Sequence, residues 1–375
     1  MSVDARTLAG PALADALRDS RARTLAFTQD LDDAQWQVPR RAGVNPIAWE
    51  LAHIAWFGEF WILRGPHRVG DDGLVHARRP AVHAGPDDLF DSARLAHAAR
   101  WDAPLPSRAD VLRMLDAQLD ACLEALPRSD SDEDLYFHRL ALFHEDMHGE
   151  AFAWLRASLG LPAPAGLALA SLPDGAQVRI EGGEVFIGRP ASCAGFAFDN
   201  EQPGQRVALK PFEIDSQPVS NAAYFRFVES GGPVPAHWRQ GKDGWESRWF
   251  DRWQPLAPHE PVIHVNAGEA EAYCRWAHRR LPTAAEWEHA ALTHPGTFAW
   301  GQSVWEWTAS DFLPYEGFQA GPYKDYSAPW FGNHRELRGG AFATHARLHD
   351  ARYRNFFLPE RRDVFAGFRT ASLPG

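Results

Sequence analysis

The chain has 375 residues and a formal net charge of −11 with its 17 histidines neutral. This acidic balance argues against a protein built to coat nucleic acid, and 45 % hydrophobic with 23 % charged residues excludes a disordered chain. Cys122, Cys193 and Cys274 are too few and too scattered for a disulfide framework or a Cys-rich zinc site. No signal-type apolar core or membrane-length run is visible, so a soluble cytoplasmic protein is expected.

The first 160 residues read as helical. Leu13, Leu17, Leu25 and Leu31 fall at roughly helical spacing over 12–31, and residues 46–63 are dense in aromatics: Trp49, Trp56, Phe57, Phe60 and Trp61. Val111, Leu115, Leu119, Cys122 and Leu126 make one stripe over 108–126, with Ser107 and Asp110 placed as a capping box at its start. A fourth helix over 135–158 follows the acidic run SDSDED, which suits a helix N-terminus. Four helices with one long connection over 65–106 predict a four-helix bundle. Pro, Gly and Ala then replace periodicity, so residues 161–176 read as a linker between a domain at 1–160 and a second at 177–375. In the second, short apolar runs alternate with turns, and helices are expected near 267–279 and 283–292: a mixed α+β domain. Sixteen Trp suit a rigid core or an aromatic ligand pocket.

The sharpest local signal is HEDMHGE, His144 to Glu150, on the fourth helix. Residues four apart share a helix face, so His144 and His148 can reach one metal ion. Glu150 lies on the wrong side to join them, and a third ligand must come from another helix. His53, mid-helix among aromatics in WELAHIAWF, supplies it; the alternative is a core histidine bonded to a backbone carbonyl. His97 and His138 are spare candidates. Three neutral imidazoles suit Fe(II), Zn(II) or Cu(II) by ligand type alone. The same segment is also a literal H-E-x-x-H, in which Glu145 would serve as general base on a zinc-bound water. That hydrolase reading lacks a downstream ligand: from Ala151 to Ile180 there is no Glu or His, and the one acid is Asp174.

These residues carry a family resemblance. The N-terminal half resembles a DinB-like bundle with the H-x-x-x-H-x-E motif of ergothioneine-type sulfoxide synthases. The C-terminal half is similar to the formylglycine-generating-enzyme, or sulfatase-modifying-factor, domain, whose fold is C-type-lectin-like. Its hallmarks stand in order: GGEVFIG at 182–188, FDNEQP at 198–203, PVSNAAYFRFV at 218–228, EAEAYCRWAHRRLPTAAEWEHAA at 269–291, VWEWTAS at 304–310, LRGGAF at 337–342 and RNFFLPERRDVFAGFR at 354–369. Formylglycine generation itself uses a late Cys pair, and here no Cys follows Cys274, which reads as a small buried hydrophobe.

The resemblance implies Fe(II) held by His53, His144 and His148, with hercynine, a thiol or selenol donor and O2 as small-molecule substrates, and no nucleic acid or membrane partner. Sulfur or selenium is joined to imidazole C2 and oxidised. Tyr323, in PYKDY, is implied as the proton donor, the alternative being a sheet tyrosine packing its ring. Asn355 and Phe356 are implied to contact substrate, Phe356 through the trimethylammonium. Arg100 and Arg108, in RWDAPLPSR, match a region that binds donor carboxylates in some members, while Arg338 and Arg369 read as structural. Two positions depart from the ergothioneine pattern: Met147 stands where Gln is usual, and Phe357 where members using γ-glutamylcysteine carry an acid. An apolar residue at 357 removes the partner of the donor's ammonium group. With HEDMHGEAF and RWDAPLPSR, it resembles the selenoneine synthase branch, which uses a selenosugar. The expected reaction is therefore C–Se bond formation, with C–S formation from cysteine or γ-glutamylcysteine as the alternative.

Overall fold

The computed structural model describes residues 4–374. It divides into two compact units, one running to Leu155 and including Ala194–Phe196, the other formed by Arg156–Cys193 and the chain from Ala197 onward. The division falls within the last turns of a long helix.

In the first unit, four long helices occupy the segments with helical periodicity: α1 (Gly10–Ala26), α2 (Ile47–Gly58), α4 (Arg108–Glu124) and α5 (Asp132–Leu159). Leu13 and Leu17 of α1 meet Leu135 and Leu142 of α5 in one apolar cluster. α1 stops before the expected end, and Leu31 is buried from the loop that follows. The Ser107 side chain caps α4 by accepting from the Asp110 N–H, and three acids open α5. All of α2 except Ala48 is buried, as a helix apolar on every side must be. It runs on as a π-helical turn over Glu59–Leu63.

The long connection between α2 and α4 has its own structure. It carries a hairpin of β1 (His67–Val69) and β2 (Val75–Ala77), the single turn α3 (Asp87–Phe90) and a 3-10 turn over His97–Trp101. Side chains from α2 and the turn after it hold the connection down. The Glu59 carboxylate accepts from the N–H groups of Val82, His83 and Ala84 at 2.6, 2.7 and 2.9 Å. Arg64 forks onto both oxygens of Asp87 at 2.6 and 3.0 Å, and Trp56 Nε1 donates to the same carboxylate. These bonds bring the α3 carbonyls to α2.

The second unit is mixed α+β. β3 (Gln177–Ile180) pairs with β6 (Phe212–Asp215), and β4 (Gly183–Ile187) pairs with β5 (Gln205–Leu209). α6 (Asn221–Glu229) occupies the PVSNAAYFRFV segment behind a Ser220 cap. The strands β7 (Trp238–Gln240), β8 (Trp245–Trp249) and β9 (Arg252–Pro255) form an antiparallel sheet. α7 (Ala267–Trp276) and α8 (Ala284–Thr293) follow, each opened by a capping box. A four-stranded sheet orders β12 (Asn355–Phe357), β11 (Arg335–Gly339), β10 (Trp305–Asp311) and β13 (Ala366–Gly367), with β13 parallel to β10.

Trp287 of α8 packs with Val178, Ile180, Phe212 and Ile214 from β3 and β6. Buried charges sit beside this core, each paired. Arg338 meets Glu288 at 3.0 Å and Glu336 at 2.7 Å, Arg354 meets Glu336 at 2.8 Å, and Arg369 forks onto Glu306. Arg338 and Arg369 are therefore internal staples of this unit. Gly188, closing GGEVFIG at φ +74°, donates its N–H to Glu288. A Cβ there would lie 2.6 Å from Tyr315 and 2.9 Å from the Glu201 carbonyl oxygen, so glycine is required. Among the described residues, no helix is long and apolar enough to cross a membrane.

Candidate metal centre

His53 enters from the middle of α2, and His144 and His148 from one face of α5, one turn apart. Their ligand atoms all lie within 4.8 Å of one another. His144 Nε2 is 3.3 Å from His53 Nε2 and 3.3 Å from His148 Nε2. The outer nitrogens are committed elsewhere. His53 Nδ1 is 2.7 Å from the Phe90 carbonyl, which only accepts, so the proton is on Nδ1 and Nε2 is bare. His148 Nδ1 is 2.8 Å from the Glu50 carboxylate, which assigns its proton in the same way.

In the neutral form of these two rings, two bare nitrogens face His144 Nε2. One proton on that nitrogen could satisfy only one of them, whereas a single cation satisfies all three. Two nitrogens each about 2.1 Å from one ion stand about 3.0–3.4 Å apart at octahedral or tetrahedral angles, which brackets the two 3.3 Å separations from His144, while the third pair lies within 4.8 Å. Burial, helped by the neighbouring imidazoles, pushes the His53 and His144 pKa values well below the usual histidine range. Both rings are neutral near pH 7, the state a ligand needs. Phe57 stacks on His144 with ring centroids 3.5 Å apart, and Trp49 on His53 at 4.9 Å, fixing both ring planes. The donor set fits a first-row divalent ion.

The spare histidines stand apart from this cluster. His138 Nε2 pairs with the Cys122 carbonyl and His97 Nε2 with that of Val44. The H-E-x-x-H hydrolase reading fails on Glu145. Its oxygens take Arg21 Nε at 2.7 Å and Arg21 Nη2 at 3.2 Å, both side chains being buried. Arg21 also donates to Gln118 and to the Leu115 carbonyl. A carboxylate locked in this pair is part of the bundle's interior and is not a base for a bound water.

Two site residues carry no flag in the sequence reading. Glu50 is three positions before His53, hence on a neighbouring face of α2, and that spacing is a signal available in the sequence. Asn45, which donates to Glu50 at 3.1 Å, lies before the helix and gives no such signal. Met147 is half-buried on α5, outside the three-histidine cluster. Arg100 lies 3.7 Å over the Trp49 ring and donates to Asn45. Arg108 stacks on Trp36 and donates to the carbonyls of Leu31 and Gln29. Both arginines are thus engaged within their own unit rather than freely exposed.

The remaining candidates belong to the second unit. Tyr323 precedes a 3-10 turn over Lys324–Tyr326, so it is a loop residue and not the sheet tyrosine of the alternative reading. Its ring is 6.1 Å from that of Tyr326, which is 5.9 Å from Phe356. Phe356 stacks on Phe312 at 4.0 Å, so one of its faces is covered. Asn355 Oδ1 accepts from the Phe356 N–H, and the Arg361 guanidinium lies 4.8 Å over Phe357. Cys274 is buried, and burial pushes its thiol up to about 12, the behaviour of an inert packed residue.

Known proteins share both halves. Residues 16–155 match the DinB superfamily and residues 169–304 the sulfatase-modifying factor enzyme 1-like domain. A hercynine oxygenase of Mycolicibacterium thermoresistibile is 32 % identical, the match covering 96 % of this chain and 94 % of that protein. The chain belongs to the ergothioneine-type sulfoxide synthase family. A hercynine oxygenase of Mycobacterium tuberculosis is 31 % identical, with 96 % of this chain and 98 % of that protein covered. A formylglycine-generating enzyme of Streptomyces coelicolor is 27 % identical and covers 52 % of this chain and 88 % of its own length. This sulfoxide synthase family member is therefore an enzyme of oxygenase type, with a DinB-type helical half and a formylglycine-generating-enzyme-like half.

Proposed function

We propose that this chain is a non-heme Fe(II)- and O2-dependent oxygenase that joins a chalcogen to imidazole C2 of hercynine, with His53, His144 and His148 as the iron ligands. The observation that carries the reading is the meeting of three imidazole Nε2 atoms from two helices, two of the rings having their Nδ1 atoms committed to acceptors. When bound, the ion supplies O2 activation and a centre able to hold imidazole and chalcogenolate together. The chain's own residues supply the rest. Trp49 and Phe57 fix the ligand planes, and the Phe90 carbonyl and Glu50 carboxylate fix the ligand tautomers. The aromatic wall around His53 keeps water from its ring. Tyr323 Oη is the proton donor in this reading, Asn355 and Phe356 contact hercynine, and Met147, Phe357, Arg100 and Arg108 flank the substrates.

Relatives named hercynine oxygenase support hercynine as the substrate, and membership of the sulfoxide synthase family supports a sulfur donor such as cysteine or γ-glutamylcysteine. A selenium donor is the second reading, and Phe357 favours it. Its ring, under the Arg361 guanidinium, offers no carboxylate to an ammonium group. The test is anaerobic Fe(II) loading, then hercynine with O2 and each donor in turn, read by mass spectrometry. A C2-linked product with a thiol or a selenol is expected. Absence of any C2-linked product with every donor, from iron-loaded protein, contradicts the proposal.

A further inference from the structure

Behind His148 runs a chain of polar groups with one sense of polarity. His148 Nδ1 faces Glu50 Oε1 at 2.8 Å, and Glu50 is 2 % exposed. The other carboxylate oxygen, Oε2, accepts from Asn45 Nδ2 at 3.1 Å. Asn45 Oδ1 accepts from Arg100 Nη1 at 2.6 Å. Arg100 in turn lies over Trp49, which stacks on His53 with an interplanar angle of 9°.

We propose that Asn45 and Arg100 are positioning residues that act through Glu50 to hold His148 in the tautomer with a bare Nε2. This rests on the three-histidine metal reading and deepens it. A guanidinium has only donors and a carboxylate only acceptors. An amide between them can sit one way round: oxygen to Arg100, nitrogen to Glu50. Glu50 then has one oxygen filled and one left to accept from Nδ1–H. Anchored in this way through Oε2, the carboxylate is held with Oε1 toward Nδ1–H, which turns Nε2 of the His148 ring to the cluster. The same arginine braces the stack on His53, so one residue of the connection before α4 supports two of the three ligands.

Exchanging the polar groups separates this role from packing. In Glu50→Gln, Asn45 still presents its nitrogen, so the new amide must turn its oxygen to Asn45 and its nitrogen to His148. That drives the imidazole proton to Nε2. In Asn45→Asp, two carboxylates face each other and the support is lost. In the double substitution the polarity closes again. The new carboxylate at position 45 accepts from Arg100 and from the new amide, whose oxygen is returned to Nδ1–H.

The experiment is anaerobic titration of the full chain with Fe(II), and with Co(II) read by its ligand-field absorption, beside thermal unfolding of the apo form. Each single substitution should weaken metal binding about 10–100-fold, and the pair should return to within about threefold of the unsubstituted chain. Arg100→Met, which frees the Asn45 amide to turn over, should also relieve Glu50→Gln. Additive losses in both double variants, or full affinity in Glu50→Gln, overturn the proposal while leaving the metal centre intact. Failure of the unsubstituted chain to bind one equivalent overturns both.

Discussion

At the residue scale, the same helix turn holds two kinds of group with opposite fates. His144 and His148 point their nitrogens at a shared point, while Glu145, one residue along, is spent on Arg21. A helix makes this separation by itself, since adjacent residues are about 100° apart. The sequence displayed the i, i+4 histidines, because that relation is local. It did not display the partner of Glu145, because Arg21 is 124 positions away and nothing short-range links them. Removing one member of a buried, fully bonded ion pair leaves the other charge uncompensated, at a cost of about 3–5 kcal/mol. Arg21→Met should therefore lower the urea-unfolding stability of the helical half by that amount and leave its metal affinity, measured on folded protein, within about twofold. Unchanged stability would mean that Glu145 is not held as described.

At the scale of elements, the four long helices were legible because apolar spacing and caps act within a few residues of each other. Ser107 and the acids that open α5 are examples. The long connection was legible only as length. Its ordering depends on Glu59 gripping three N–H groups more than 20 positions ahead, which no periodicity encodes. That grip matters because the same segment delivers the Leu89 carbonyl to Trp49 and the Phe90 carbonyl to His53. Bonds to a charged acceptor contribute about 1.5–3 kcal/mol each. Glu59→Ala should speed amide exchange at Val82, His83 and Ala84 at least about tenfold, with α1 and α4 unchanged. Equal protection in the two proteins would remove Glu59 as the anchor.

At the scale of the whole molecule, the ordered set of motifs in the second half spoke for its fold more clearly than any single motif. The match of residues 169–304 to the sulfatase-modifying factor enzyme 1-like domain bears that out. Fold class and family were readable because they rest on order along the chain. The buried staples Arg338, in β11, and Arg369, just past β13, were readable through the family resemblance, and both are paired inside. Asn45 was not readable, and Glu50 showed only its spacing from His53, because their role exists only once α2, α5 and the connection before α4 have come together. In the proposed function, three imidazoles on two helices hold one ion. Anomalous diffraction at the iron edge, from crystals of the chain loaded anaerobically with Fe(II), tests it directly. A single peak is expected, bonded at about 2.1 Å to the Nε2 atoms of His53, His144 and His148; a peak held by other residues, or none beside these three, would overturn the assignment.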